Sequence, residues 1–314
     1  MSYEQTSRRP GRYGAPRRRG LHIPPFALTG KAHSLRRSSF PNGTRCAGLP
    51  FGGGCAAFVW PVAPFWGQNP LSNGDTMNKR LGVLGGMGPQ ATNTFYQFVI
   101  DRTDARTDQE HVNALILSDS DMPDRTAAIL GSEKARQAVY ERLLSDARLL
   151  ESAGCTAIAV PCNTSHFFLD KVQEQISIPI IHMIRETAKL LAAQGYKRPG
   201  ILATDGTIQT GLYQKEFSAA GIQAVIPSPQ AQELVMSLIY DDVKAGRDGD
   251  PQKFAGIHQD LLSQGCDCGV LACTELSVFA DKHHLPPFYT DAMAVLAERA
   301  VQACGKPLRH IFIK

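Results

Sequence analysis

Cys162 and Cys273 occupy matching places in two similar stretches of the chain. In the first stretch Leu150, Gly154 and Cys155 lead into the apolar run 157–160 and then Cys162-Asn163-Thr164; in the second, Leu261, Gly265 and Cys266 lead into 269–272 and then Cys273-Thr274-Glu275. Each terminal cysteine lies eight residues after its glycine. Two thiols offered from equivalent loops could face a small ligand from opposite sides. Proton transfer at carbon by two bases needs that arrangement, because a thiolate removes a proton and a thiol returns one. Thr164 and Thr274 are natural cap residues, so both cysteines are expected at helix starts, where the positive end of the helix favours the thiolate. A single buried cysteine is ordinarily a small hydrophobe; its recurrence in two copies argues for chemistry.

Other candidates surround this pair. His166 and Glu275 stand close to the thiols in sequence, to tune or orient them or to act as plain caps. Asp124-Arg125-Thr126 reads as a loop whose guanidinium either grips a carboxylate through two hydrogen bonds or is simply solvated. Lys215 follows Thr204-Asp205-Gly206-Thr207 with the same two readings. Gly86-x-Gly88-x-x-Ala91 fits the loose dinucleotide fingerprint, but Pro89 takes the helix start and Asp119 comes 31 residues after Gly88, so an anion-cradling turn is the better reading. The close pair Cys266-x-Cys268 lacks the spacing of zinc or dithiol redox motifs.

The elements that must position these residues alternate. Candidate strands are 81–84, 114–118, 157–160, 178–181, 200–203, 223–226, 269–272 and 288–290. Helix-length patterns at 91–103, 132–153, 182–194, 210–220, 231–245 and 251–264 separate them, and 291–304 closes the chain. Such alternation predicts parallel sheets covered on both faces. The motif Lys79-Arg80-Leu81-Gly82-Val83-Leu84, with Gly88 and Thr92, recurs 118 positions later as Lys197-Arg198-Pro199-Gly200-Ile201-Leu202, with Gly206 and Thr210. The repeat predicts two lobes, 77–181 plus 289–314 and 182–288. Right-handed crossovers bring the loops after the strands, and both cysteines, to one edge of each sheet.

Residues 1–76 contain ten Lys or Arg against two acids, whereas 77–314 carry 23 basic and 27 acidic residues, so the formal net charge of +4 belongs to the N-terminal segment alone. That segment is rich in Gly and Pro and has no sustained period, which predicts disorder. It reads as an over-extended start ahead of Met77, as a transit segment, or as a basic tail for nucleic acid or anionic lipid. No run reaches the roughly 18 apolar residues of a membrane span. The eight cysteines fall largely in apolar runs, which suits reduced thiols in a cytoplasmic protein better than a disulfide scaffold.

From Met77 onward the chain resembles the cofactor-independent aspartate/glutamate racemase superfamily, in its aspartate racemase branch. The residues that carry the resemblance are 84–89 (Leu-Gly-Gly-Met-Gly-Pro), 123–127 (Pro-Asp-Arg-Thr-Ala), 161–166 (Pro-Cys-Asn-Thr-Ser-His), 212–217 (Leu-Tyr-Gln-Lys-Glu-Phe) and 273–275 (Cys-Thr-Glu). The resemblance implies two Rossmann-like lobes with the site between them, no pyridoxal phosphate or other cofactor, no metal, and no nucleic-acid or membrane partner. It implies Cys162 and Cys273 as paired acid and base, Arg125 and Lys215 on the substrate's carboxylates, and Met87, Asn163, Thr164, Thr204 and Thr274 binding nearby. It implies a homodimer as well. Glutamate racemases place Asp-Ser after the first strand and Thr-His after the second cysteine; Gly-Gly-Met-Gly and Thr274-Glu275 stand here, which favours aspartate. A one-cysteine isomerase or decarboxylase, a broader amino-acid racemase and a noncatalytic amino-acid sensor are the alternatives. Both thiols speak against the first, and turnover excludes the last.

Overall fold

In the computed structural model, which describes residues 79–309, the repeated Leu-x-x-x-Gly-Cys text is a helix stop followed by a strand. Helix α3 (Glu133–Ser152) ends with Gly154 at φ 79° and helix α9 (Pro251–Ser263) with Gly265 at φ 70°, left-handed conformations that glycine adopts without penalty. The amides of Cys155 and Cys266 donate back to the carbonyls of Leu150 and Leu261, each over 3.1 Å, closing the same capping motif twice. The strand glycines of the repeat are explained by the same packing. A Cβ on Gly82 would meet Leu150 and the Cys155 sulfur at 3.2 Å, and one on Gly200 would meet Leu261 at 2.5 Å.

The first sheet has the order β2-β1-β3-β4, with β1 Arg80–Gly85, β2 Asn113–Ser118, β3 Ala157–Ala159 and β4 Ile180–Ile181. The second has the order β5-β6-β7, with β5 Pro199–Leu202, β6 Cys268–Leu271 and β7 Tyr289–Asp291. Every pairing between these strands is parallel, with Val83 opposite Ala159 and Leu202 opposite Leu271. The remaining helices are α1 (Pro89–Arg102), α2 (Arg125–Leu130), α4 (His166–Gln173), α5 (Met183–Gln194), α6 (Asp205–Thr210), α7 (Leu212–Ala219), α8 (Pro229–Ser237), α10 (Thr274–His283) and α11 (Ala292–Ala303). A π-helical turn, Leu238–Val243, continues α8.

The lobed α/β architecture with parallel sheets is as expected, with three corrections. The strand expected at 223–226 contributes only a bridge from Val225 to Gly200, because Pro227 follows at once and leaves no length for a ladder. The expected helix 210–220 is broken at Gly211, which at φ 67° both caps α6 and opens α7. The boundary drawn at 289 also moves. β7 pairs with β6, so the second sheet runs to Asp291, and α11 is the element that crosses to the first lobe, packing on α1 and α5.

One core therefore spans both sheets. Leu81, Val83 and Phe95 of the first lobe share it with Ile201, Phe217 and Val270 of the second, and Met293, Leu296 and Ala300 of α11 join them. Two further clusters fill the outer faces, one beneath α3 and α4 and one beneath α8, α9 and α10. Among the described residues no helix is long and apolar enough to cross a membrane. The N-terminal segment assigned to 1–76 lies outside the described residues.

Candidate active site

The carboxyl ends of the strands converge, and the loops that leave them line one small cavity. Met87 follows β1, Arg125 follows β2, Cys162, Asn163 and Thr164 follow β3, Thr204 follows β5, and Cys273, Thr274 and Glu275 follow β6. Of the residues singled out from sequence, His166 lies behind the cavity wall and Lys215 stays away from it. Lys215 is exposed on α7, on the side of Asp170, and does not line the cavity. The second cation in the wall is Lys244, directly after the π turn, with Tyr240 of that turn beside it. The Lys244 ammonium lies 5.3 Å from the centre of the Tyr240 ring.

The two thiols have unlike surroundings. Cys162 is 5% exposed and Cys273 6%. The Cys273 sulfur donates to Oε2 of Glu275 at 2.9 Å, and Oε1 of the same carboxylate pairs with Nζ of Lys244 at 3.0 Å. Burial, then the Glu275 carboxylate, push the Cys273 thiol well above the ordinary thiol range. The expected lowering by the helix start is thus overridden at Cys273, although this residue is the N-cap of α10. At Cys162 the charge nearby is positive. Burial works most strongly on Arg125 and against its charge, but the Cys162 sulfur beside it, Asp124 and Glu275 together hold the guanidinium above its ordinary value. Lys244 behaves likewise: burial opposes its charge, while Glu275 and then Cys273 raise it.

The expected caps also differ. Thr164 lies in the turn before α4, whose N-cap is Ser165, and Thr274 is the first residue of α10 rather than its cap. Instead of capping, Thr164 joins a hydroxyl cluster, with Oγ1 3.2 Å from Thr204 and 3.0 Å from Thr207. Thr126 adds a fourth hydroxyl at 3.4 Å from Thr204. A Cβ on Gly206 would come within 3.0 Å of Thr126, so glycine permits this approach of α6 to α2. Thr274 donates to Glu275 at 3.3 Å.

Positioning falls to a few buried groups. His166 is 1% exposed; its Nε2 accepts from the Met183 amide at 3.1 Å, so its proton sits on Nδ1 and is donated to the Cys162 carbonyl at 2.9 Å. Burial lowers this imidazole to a pKa of about 4, and it stays neutral. His166 therefore braces the loop of Cys162 rather than its sulfur. Arg125 is held by the carbonyls of Pro123 at 3.0 Å and of Met87 at 3.3 Å, leaving Nε buried without a protein partner. Asn163 is fixed by the Tyr213 hydroxyl, which donates to Oδ1 at 2.5 Å, while its Nδ2 is buried and unpaired. Two donors are thus free for an anion. The Gly86 amide of the glycine turn donates to Thr92 at 2.8 Å, which uses one of the groups a phosphate would need. Among the described residues no group of three or more His, Cys, Asp or Glu side chains is placed to hold a metal.

Lys244 and Tyr240 were not legible as site residues. Lys244 precedes Cys273 by 29 residues in a charged run that reads as a solvated helix face, and no spacing ties it to either thiol.

Comparison with known proteins identifies the family and the fold. Residues 84–300 match the family model described as Asp/Glu/Hydantoin racemase. The chain is 29% identical over 225 residues to the broad-specificity amino-acid racemase RacX of Bacillus subtilis, a match covering 70% of this chain and 96% of that one. Among solved structures, the aspartate racemase of Picrophilus torridus superposes with a TM-score of 0.63 at 30% identity, covering 74% of this chain and 96% of that one. A glutamate racemase of Francisella tularensis in complex with D-glutamate superposes with a TM-score of 0.53 at 16% identity over 72% of this chain and 80% of that one, a likeness of fold.

Proposed function

Because this chain belongs to the Asp/Glu/hydantoin racemase family of amino-acid racemases, we propose that it interconverts L- and D-aspartate, with Cys162 and Cys273 as the two proton carriers. The observation that carries this reading is the cavity in which both thiols meet a guanidinium and an ammonium. An amino acid's α-carbon is a weak acid, so cations and amide donors at the α-carboxylate must stabilise carbanion character as the proton leaves. The unpaired Nε of Arg125 and Nδ2 of Asn163 are groups of that kind. Lys244, tied to Glu275 through one oxygen, is available to a second carboxylate, which favours a dicarboxylic amino acid. A thiolate on one face takes the α-proton and the opposite thiol delivers its own. The electron pair left at the carbon forms the new C–H bond, and each turnover exchanges the roles of the sulfurs.

The likeness to RacX over nearly its whole length favours a second reading, a broader substrate range. Incubation of the chain with L-aspartate without added cofactor, following optical rotation, tests both. Decay to zero rotation is expected, with alanine turning over far more slowly. Constant rotation with every amino acid tried would overturn the proposal, and equal rates for alanine and aspartate would select the broader range.

A further inference from the structure

The cavity treats its two sulfurs as opposites, and the mechanism above does not use the group responsible. Glu275 is 5% exposed, receives the Cys273 thiol at 2.9 Å and the Thr274 hydroxyl at 3.3 Å, and is pinned at its other oxygen by Lys244 at 3.0 Å. A carboxylate in that position accepts a hydrogen bond from a thiol but repels a thiolate. The environment of Cys162 is reversed, with the Arg125 guanidinium beside its sulfur. Its carbonyl is held by neutral His166, which brings no charge. The other titratable groups around the cavity are Lys244, Arg125, Asp124, the phenol of Tyr240 and Cys162, with the buried phenol of Tyr213 close to Cys273. Lys244 acts on both sulfurs, so it does not by itself distinguish them.

We propose that Glu275 is a positioning residue that keeps the proton on Cys273 in the free enzyme, so that the resting protein presents its base at Cys162 and its acid at Cys273. This rests on the racemase reading and adds a direction to it. The enantiomer whose α-proton faces Cys162 meets an enzyme already poised for it. The other must wait for a proton to pass from Cys273 to Cys162, against the Glu275 carboxylate. Atoms balance in either direction: the α-proton goes to one sulfur and the other sulfur's proton goes to carbon. Because the two enantiomers are equal in free energy, kcat/KM must be the same for both whatever the poise. The asymmetry therefore appears as kcat and KM that differ between enantiomers while their ratio does not.

The test is the pH profile of kcat/KM for the wild type and for Glu275→Gln, with Glu275→Asp as the conservative variant. The alkaline limb reports loss of the proton from Cys273, so Glu275→Gln should move that limb to lower pH by at least one unit, leave the acid limb in place, and reduce the difference in kcat between enantiomers. Glu275→Asp should restore part of the shift. As an arm independent of turnover, iodoacetamide labelling read by mass spectrometry should modify Cys162 at lower pH than Cys273 in the wild type, and the gap should narrow in Glu275→Gln. A lower rate with both limbs unmoved, or equal labelling of the two cysteines in the wild type, would overturn the proposal. Absence of racemisation by the wild type with any amino acid would instead overturn the racemase reading, and the labelling arm would still judge the poise.

Discussion

On the proposed two-base mechanism each thiol is useful only while the other is in the opposite state, so the two contributions are not separable. Cys162→Ala and Cys273→Ala should each abolish racemisation, because each removes a proton carrier, while aspartate binding measured by calorimetry persists. Each variant should keep only exchange of the α-proton of one enantiomer with solvent deuterium. Near wild-type racemisation by either would end the two-base account. The cations are separable. Lys244→Met should weaken aspartate by about 2–5 kcal/mol, the cost of losing a charge-assisted bond to a buried carboxylate. Exposed Lys215→Met should stay within about 0.5 kcal/mol of wild type. KM for the two variants decides between them: a large rise for Lys215→Met with none for Lys244→Met would restore the assignment made from sequence.

Legibility followed the same division between local and distant relations. The cysteines, Arg125 and the hydroxyl-bearing Thr164 and Thr204 sit within a few residues of a strand end, so strand recognition placed them at the cavity without tertiary information. Lys244 reaches the same cavity from the end of a helix that widens into a π turn, and the 3.6-residue period that marked 231–245 as one helix does not show the widening. Helix α2, with six residues, went unread, and of α4 and α10, with eight and ten, only the starts beside the cysteines were legible, because each lies in motif text whose apolar pattern is too short to declare a period. Helix α3 was legible from its 20-residue period, but not the job of one of its faces. Arg142 clasps Asp119, at the end of β2, over 2.6 and 2.9 Å, and Asp146 one turn later is buried against the same carboxylate. Burial, then the Asp119 charge, raise Asp146 to about 6 from an unfolded value near ~3.9. Its ionised form is therefore penalised by folding. The penalty is absent below about pH 4, grows as pH rises towards 6, and is complete above it. Asp146→Asn should stabilise the protein at pH 7 by on the order of 1–3 kcal/mol and make no difference at pH 4, as denaturant midpoints at the two pH values would show. Equal effects at both, or destabilisation at pH 7, would mean that the carboxylate is compensated in the fold.

Two sheets with a site between them suggest two domains that move and melt apart, but the packing argues for a single cooperative unit. The largest apolar cluster takes residues from β1 and α1 of the first lobe, from β5, α7 and β6 of the second, and from α11, which starts at the edge of the second sheet and lies on α1 and α5. Removing the second lobe would uncover the side of the shared core that holds Phe95, and removing the first would uncover the side that holds Phe217, both fully buried with Leu296 of α11, at a cost of about 1.5–3 kcal/mol for each such side chain. Each lobe alone would keep only its outer cluster and lose the shared one. Thermal unfolding should accordingly give one transition, coincident by calorimetry and near-ultraviolet circular dichroism. Leu296→Ala should lower that transition by about 2–5 kcal/mol without splitting it, since the cavity it creates lies in the part of the core common to both lobes. If the cavity binds aspartate as proposed, aspartate should raise the same single transition by mass action. Two resolved transitions, with only one of them moved by Leu296→Ala, would show that α11 belongs energetically to one lobe and that the shared core does not couple them.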